Sequence, residues 1–145
     1  MKKEKLLKIL RWIVIIGAGV IMLIQLVPYG RDHTNPPILR EPDWDSPITR
    51  EIAVRSCFNC HSNESEWPWY SFVAPSSWLL QYDVDTARRN INFSEWEDIG
   101  SRYLVEVVES GRMPPFRYWI VHPEAKLSEQ EKALFIQGLQ ATLDK

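Results

Sequence analysis

The most prominent pattern in the chain is a long apolar run near its start. Residues 12–27 read WIVIIGAGVIMLIQLV, and no side chain in this run is charged. The sixteen residues span about 24 Å as a helix, and Ile9 and Leu10 extend it toward the ~30 Å hydrocarbon core of a bilayer if Arg11 snorkels. The run lacks the polar stripe of a helix that packs on a protein surface. The pattern therefore predicts an N-terminal transmembrane helix.

Two helices are predicted in the middle of the chain. Ser46 is a good N-cap and Pro47 suits the first helical position, so a short helix should begin there and lead into Cys57. A second helix can start at Ser76 or Ser77, and the stretch 90–93 should end it.

Two capping boxes predict the remaining helices. Ser94 with Glu97 starts one that should end at Gly111, and Ser128 with Glu131 starts a terminal helix to about Leu143. The apolar residues of the first of these helices recur at helical spacing: Ile99, Tyr103, Leu104, Val107 and Val108. Because no convincing alternating strand competes with these helices, the predicted fold class is all-α.

Proline divides the anchor from the folded part. Residues 28–46, PYGRDHTNPPILREPDWDS, hold four of the ten prolines with charges between them, which predicts an extended linker that holds the domain off the membrane. The predicted organisation is a membrane anchor over 1–27, a proline-rich linker over 28–46 and one helical domain over 47–145.

Charge predicts the topology. Five basic residues and one acidic residue precede the apolar run, whereas 12 basic and 18 acidic residues follow it. The positive-inside rule then places the N-terminus in the cytoplasm and the domain on the periplasmic or outer side of the inner membrane. A cleaved signal sequence is the alternative, but residues 25–31, QLVPYGR, offer no small-x-small cleavage site, so we favour an uncleaved anchor. The acidic domain has no basic footprint for nucleic acid.

The two cysteines of the chain stand in one short motif, Cys57–His61, which reads CFNCH. A C-x-x-C-H sequence is the attachment signal for c-type haem, since two thiols reach the vinyl groups and the adjacent imidazole reaches the iron. At helical spacing, residues three apart share a face, so both sulfurs can reach one porphyrin edge. The motif predicts one covalent haem c, with His61 as an iron ligand.

Three other interpretations of the motif are less favoured. Half of a zinc site would need further thiol or imidazole ligands in a second knuckle, and the sequence has no other cysteine. A thioredoxin-like redox pair would need a βαβ pattern nearby. A chance occurrence would leave an exported protein with two free, adjacent thiols.

The sixth position of the iron has two candidates. Met113 is the only methionine after the anchor, and it stands in Gly-Arg-Met-Pro-Pro, where prolines restrict the backbone. Methionine ligation is an established cytochrome c arrangement, so we expect Met113 as the ligand, although methionine is more commonly a core filler. His122, just before the last predicted helix, is the alternative.

Several stretches resemble the bacterial haem-binding domain family, relatives of the cytochrome c fold that often carry an N-terminal anchor. These stretches are Cys57–Ser62, Trp67–Tyr70, Pro75–Trp78, Asn92–Trp96, Met113–Pro115 and His122–Ser128, within a resemblance that covers nearly all of 40–143. The resemblance implies covalent haem and an all-α, cytochrome c-like domain around it. One departure is Ala87-Arg88-Arg89, where a glycine is expected before the arginine.

The favoured function is electron transfer rather than enzymatic catalysis: a membrane-anchored monohaem c-type cytochrome that serves membrane and periplasmic redox partners. A haem-based sensor or peroxidase-like enzyme is one alternative, and it would need a distal acid or base such as His122. A haem-containing assembly subunit of a larger membrane complex is the other alternative.

Overall fold

The computed structural model describes residues 2–97 and 101–145. Over these residues the regular structure is helical and contains no β-strand, with one isolated bridge between Arg40 and Glu95. The seven α-helices of this described part are α1 (Lys2–Ile24), α2 (Pro47–Ala53), α3 (Asn59–His61), α4 (Ser76–Asn90), α5 (Ser101–Glu109), α6 (Phe116–Trp119) and α7 (Glu129–Leu143). A π-helical turn spans Val54–Phe58, and 3₁₀ turns span Trp69–Phe72 and Pro123–Ala125. The predicted all-α fold class is confirmed.

The chain forms two compact units. The anchor unit comprises Met1–His33 and Pro68–Tyr82, and the haem-motif unit comprises Thr34–Trp67 and Asp83–Lys145. The helix α4 begins in the first unit and ends in the second. The predicted division into 1–27, 28–46 and 47–145 stays a prediction.

The helix α1 dominates the anchor unit. Its stretch Lys3–Ile24 has a mean hydropathy of 2.2 and is not buried against other parts of the protein. The backbone then tightens, because Gln25, Leu26 and Val27 each donate an N–H to the carbonyl three residues earlier. This helix is long and apolar enough to cross a membrane, although a signal sequence would have the same length and composition.

The core of the haem-motif unit joins α2, α5 and α7. Its buried apolar residues are Ile52, Ala53, Phe58, Phe93, Leu104, Val108, Phe135 and Leu139. The helices α2 and α7 approach closely at Gly138, where a Cβ atom would lie 2.0 Å from Thr49 Oγ1. Glycine is therefore required for this contact, since any side chain would overlap with Thr49.

Local sequence signals predicted four of the helix boundaries correctly. The Ser46 side chain accepts a hydrogen bond from Thr49 N with Pro47 at the first helical position. The helix α4 begins at Ser76 and ends at Asn90, within the predicted limits. At α7, Ser128 and Glu131 form the full capping box, as predicted.

The predicted helix start at Ser94 is wrong. Residues 94–97 are not helical, and α5 begins at Ser101. Ser94 is fully buried, and its hydroxyl accepts a hydrogen bond from Asn63 N at 3.0 Å, so a partner distant in sequence replaces the helical one. Ile99, which was assigned to this helix, lies outside the described residues. The predicted stop is confirmed by Gly111, which has a φ of 71°.

The proline-rich stretch 28–46 contains no helix, yet part of it is paired. Leu39 N and Arg40 N both donate to Ser94 O, and Trp96 N donates to Arg40 O. The ring of Trp44 packs against Phe93, with ring centroids 5.4 Å apart. This part of the stretch therefore contributes to the haem-motif unit.

Candidate haem site

The CFNCH motif lies at the end of one continuous helical run. That run consists of α2, the π-helical turn and α3, and it carries Cys57 in the wider turn and Cys60 and His61 in α3. Cys57 and Cys60 are three residues apart on this run, so their side chains share a face. The two thiols are free and do not form a disulfide.

Burial raises the pKa of both thiols. Desolvation, with a smaller contribution from Cys60, raises the pKa of Cys57 to about 12. Desolvation, followed by the charge of Asp83, raises the pKa of Cys60 to about 11. A raised pKa disfavours the thiolate, which is the form that redox enzymes use as a nucleophile.

His61 is held in the tautomer that a metal ligand needs. Its Nδ1 lies 3.1 Å from Ile91 O, and a carbonyl can only accept, so Nδ1 carries the proton and Nε2 presents a lone pair. Burial lowers the pKa of His61, which favours the neutral imidazole. The segment that holds the ring also holds the His61 backbone, because Phe93 N donates to His61 O at 2.7 Å.

Arg88 fixes the loop that follows the motif. Its Nε donates to Ser62 O at 2.8 Å, and its Nη2 donates to Ser65 Oγ and Asn35 Oδ1, each at 3.1 Å. Ser65 Oγ in turn donates to Asn59 O at 2.7 Å, inside the motif. This role of Arg88 could not be predicted from local sequence, since its partners lie up to 53 residues away.

A second charged pair lies near Cys60. Arg117 donates to Asp83 at 2.6 Å, and the charges of Asp83, Arg117 and Arg88 all act on the pKa of Cys60. This pair was not predicted, because no local sequence pattern links α6 to α4. The pair places both signs of charge beside the second thiol.

Comparison with known proteins shows the family of the chain. The family model described as "Haem-binding domain" matches residues 19–141, which is most of the chain. The chain belongs to the haem-binding domain family. The predicted resemblance is thereby confirmed, and the chain is a haem-binding protein.

One curated relative of this haem-binding domain is an enzyme. The chain is 24% identical over 95 residues to cytochrome c peroxidase Ccp of Escherichia coli (strain K12), covering 57% of this chain and 20% of the relative. The chain thus spans about a fifth of the length of that relative. No solved structure matches the chain.

The donor set of the haem-binding domain fits a haem attached by two thiols. No group of three His, Cys, Asp or Glu residues that could hold a bare metal ion occurs among residues 2–97 and 101–145. What the motif offers instead is two thiols three residues apart, whose pKa values are raised, and one imidazole with Nδ1 engaged and Nε2 available. Thioether formation consumes thiols, and haem iron takes imidazole as a ligand, so this set matches the cofactor of the family.

His122 is connected to the motif through Tyr118. Asn59 Nδ2 donates to Tyr118 Oη at 2.8 Å, and the Tyr118 ring stacks on His122 with centroids 4.6 Å apart. His122 Nδ1 lies 3.1 Å from Glu124 Oε1. The neighbouring apolar side chains Phe116, Ile120 and Val121 are more than half exposed.

Met113 lies on the loop after α5 and is half-buried. Its N–H donates to Val107 O at 3.0 Å, which fixes its backbone to the end of that helix. Within the described part of the chain, the Met113 side chain makes no hydrogen bond to the motif. The assignments of Met113 and His122 as sixth ligands stay predictions.

Proposed function

We propose that this haem-binding protein is a membrane-anchored c-type cytochrome that carries electrons between membrane and periplasmic redox partners. The single observation that carries the proposal is the state of the motif: two thiols on one helical face beside a neutral His61 whose Nδ1 is already engaged. Cys57 and Cys60 would hold one haem by thioether bonds, and His61 Nε2 would bind its iron. When bound, the haem supplies one-electron chemistry between ferric and ferrous iron.

The residues around the motif would keep the iron ligand still during electron transfer. Ile91 O fixes the imidazole ring through Nδ1, and Phe93 N fixes the His61 carbonyl. Arg88 fixes the following turn through Ser62 O. A ligand that does not reorganise when the charge on the iron changes favours fast electron transfer, because little surrounding structure must move.

Met113 is the proposed sixth ligand and His122 is its alternative. Replacing each one separately gives a matched pair of variants, Met113→Ala and His122→Ala. We expect Met113→Ala to change the haem absorption spectrum of the oxidised and reduced protein, and His122→Ala to leave the spectrum unaltered. The opposite result would transfer the assignment to His122.

The proposed location is the inner membrane, with the haem domain on the periplasmic side. The support is α1 together with the basic residues that precede its apolar run. A tether of this kind restricts diffusion and raises the effective concentration of membrane partners. Reporter fusions at each end of the chain would test this topology.

A peroxidase-like activity is the second candidate. It is favoured by the similarity to cytochrome c peroxidase Ccp and by the pairing of His122 with Glu124, which could serve as an acid–base pair. Carbon monoxide binding and peroxide turnover by the purified protein distinguish the two functions. A carrier with a closed six-coordinate iron should bind carbon monoxide poorly and turn over peroxide negligibly, whereas ready binding with rapid turnover would favour the enzyme.

A further inference from the structure

The end of the apolar helix α1 is hydrogen-bonded to the segment 69–77, which contains the 3₁₀ turn Trp69–Phe72 and the start of α4. Gln25 directly follows α1, and its Oε1 accepts a hydrogen bond from Ala74 N at 3.0 Å. Its Nε2 donates to Ala74 O at 2.9 Å and to Ile21 O at 3.0 Å. A side-chain amide that satisfies both backbone groups of one residue fixes that residue at the end of the helix.

Two further contacts hold the same segments together. Gly30 has a φ of 74° and packs so closely that a Cβ atom would lie 2.3 Å from Ser77 O. The edge of the His33 ring meets Phe72, with ring centroids 4.4 Å apart. The segment 69–77 thus contacts the residues after α1 at three places, all within the anchor unit.

The first part of this segment, the loop 69–73, exposes large apolar side chains. Trp69 is 79% exposed and Phe72 is 56% exposed, and Val73 is also exposed. Residues 68–82 contain no Asp, Glu, Lys or Arg. On the adjoining segment Leu26, Val27 and Tyr29 are exposed as well. An exposed apolar surface of this kind marks contact with a membrane or a partner.

We infer that the loop 69–73 lies in the interfacial layer of the membrane, with Trp69 and Phe72 among the lipid headgroups. The inference rests on the proposed anchor, because α1 defines the depth of Gln25 at the end of the apolar span. Ala74 is hydrogen-bonded to Gln25, so it lies at the same depth, and residues 69–73 immediately precede it. Trp and Tyr favour this layer because their rings are amphipathic. Without charged residues in 68–82, docking needs no anionic lipid.

Photocrosslinking tests the inference on the full-length, haem-loaded protein in phosphatidylcholine nanodiscs. p-Benzoylphenylalanine replaces Trp69, and mass spectrometry measures the lipid adduct after irradiation. The same replacement at Trp12 reports on the anchor itself, and at Phe116, an exposed ring of the haem-motif unit, it serves as the control. We expect strong lipid labelling from positions 12 and 69, and labelling several-fold weaker from position 116.

The outcomes separate the inference from the proposed anchor. Labelling from position 12 without labelling from position 69 overturns the docked loop and leaves the anchor standing, whereas no labelling from either position removes both. Equal labelling from positions 69 and 116, or adducts of position 69 with a second protein chain, would also overturn the inference. Adding Gln25→Leu, which removes both bonds to Ala74, should lower labelling from position 69 several-fold and leave labelling from position 12 unchanged.

Discussion

The haem-motif unit has a buried apolar core, whereas the long apolar helix of the anchor unit is not buried. In the haem-motif unit, large apolar side chains such as Phe135 and Leu139 are fully buried against one another. In the anchor unit, Trp12, Met22 and Trp69 are mostly exposed. Exposed apolar area costs about 25 cal/mol per Å² in water, so core burial stabilises the haem-motif unit, and the exposed side chains of the anchor unit would gain in the same way if α1 lies in a membrane, as proposed. The comparison indicates where each unit finds its stabilisation.

The largest expected effect comes from replacing both thiols of the haem-motif unit, with Cys57→Ser and Cys60→Ser in one chain. We expect complete loss of covalent haem, measured by haem staining after denaturing electrophoresis, since no other cysteine can form a thioether. The protein should still be recovered in the membrane fraction, because α1 is untouched. Trp69→Phe is the control and should retain its haem. Covalent haem in the double variant would contradict the assignment of the motif.

The next largest effect contrasts a buried ring with an exposed one. Phe135→Ala should lower the free energy of unfolding of the haem-motif unit by about 3–5 kcal/mol, because it empties a fully buried site. Trp69→Ala should change that free energy by less than about 0.5 kcal/mol, as substitutions at exposed positions usually do. Denaturant titration in detergent, followed by the haem absorbance, measures both. Similar losses in both variants would show that the two units unfold as one.

Two glycines give a third contrast between the units. Gly138→Ala places a Cβ atom against Thr49, and overpacking of this kind costs about 1–3 kcal/mol of unfolding free energy. Gly17→Ala lies in α1, where nothing within 4 Å would meet the new atom, so it should leave the unfolding of the haem-motif unit unchanged. The same titration measures both variants. An unaltered midpoint for Gly138→Ala would mean that α2 and α7 are less tightly packed than the structure indicates.

Local chemistry in the sequence was enough to predict much of this architecture. The caps at Ser46 and Ser128 involve partners only three residues away, so their geometry follows from sequence spacing. Ser94 also precedes a glutamate by three residues, but its hydroxyl accepts a hydrogen bond from Asn63 N, which the tertiary fold brings close. Arg88 is a similar case, since its contacts at Ser62 exist only after tertiary folding. The motif is therefore visible in the sequence, whereas the contacts that hold it in place depend on the tertiary fold.

The smallest predicted effect is a dependence on pH that belongs to the haem-motif unit. Glu131 accepts hydrogen bonds from Ser128 N and Ser128 Oγ and pairs with Arg55, which together lower its pKa from 4.5 to about 2. A lowered pKa stabilises the folded state above pH 4.5, and this contribution is lost as the pH falls from 4.5 toward 2. Because the pair is exposed, salt should weaken the effect.

The variant Glu131→Gln isolates this contribution. Its free energy of unfolding should be lower than that of the unaltered protein at pH 7, and the gap should narrow as the pH approaches 2, where the carboxyl of the unaltered protein is itself becoming protonated. Glu129→Gln removes a charge from the same first turn of α7 and serves as the control. Residues 68–82 of the anchor unit contain no carboxylate, so labelling of lipid from position 69 should not change over this pH range. A constant gap across the range would show that Glu131 acts through packing rather than through its charge.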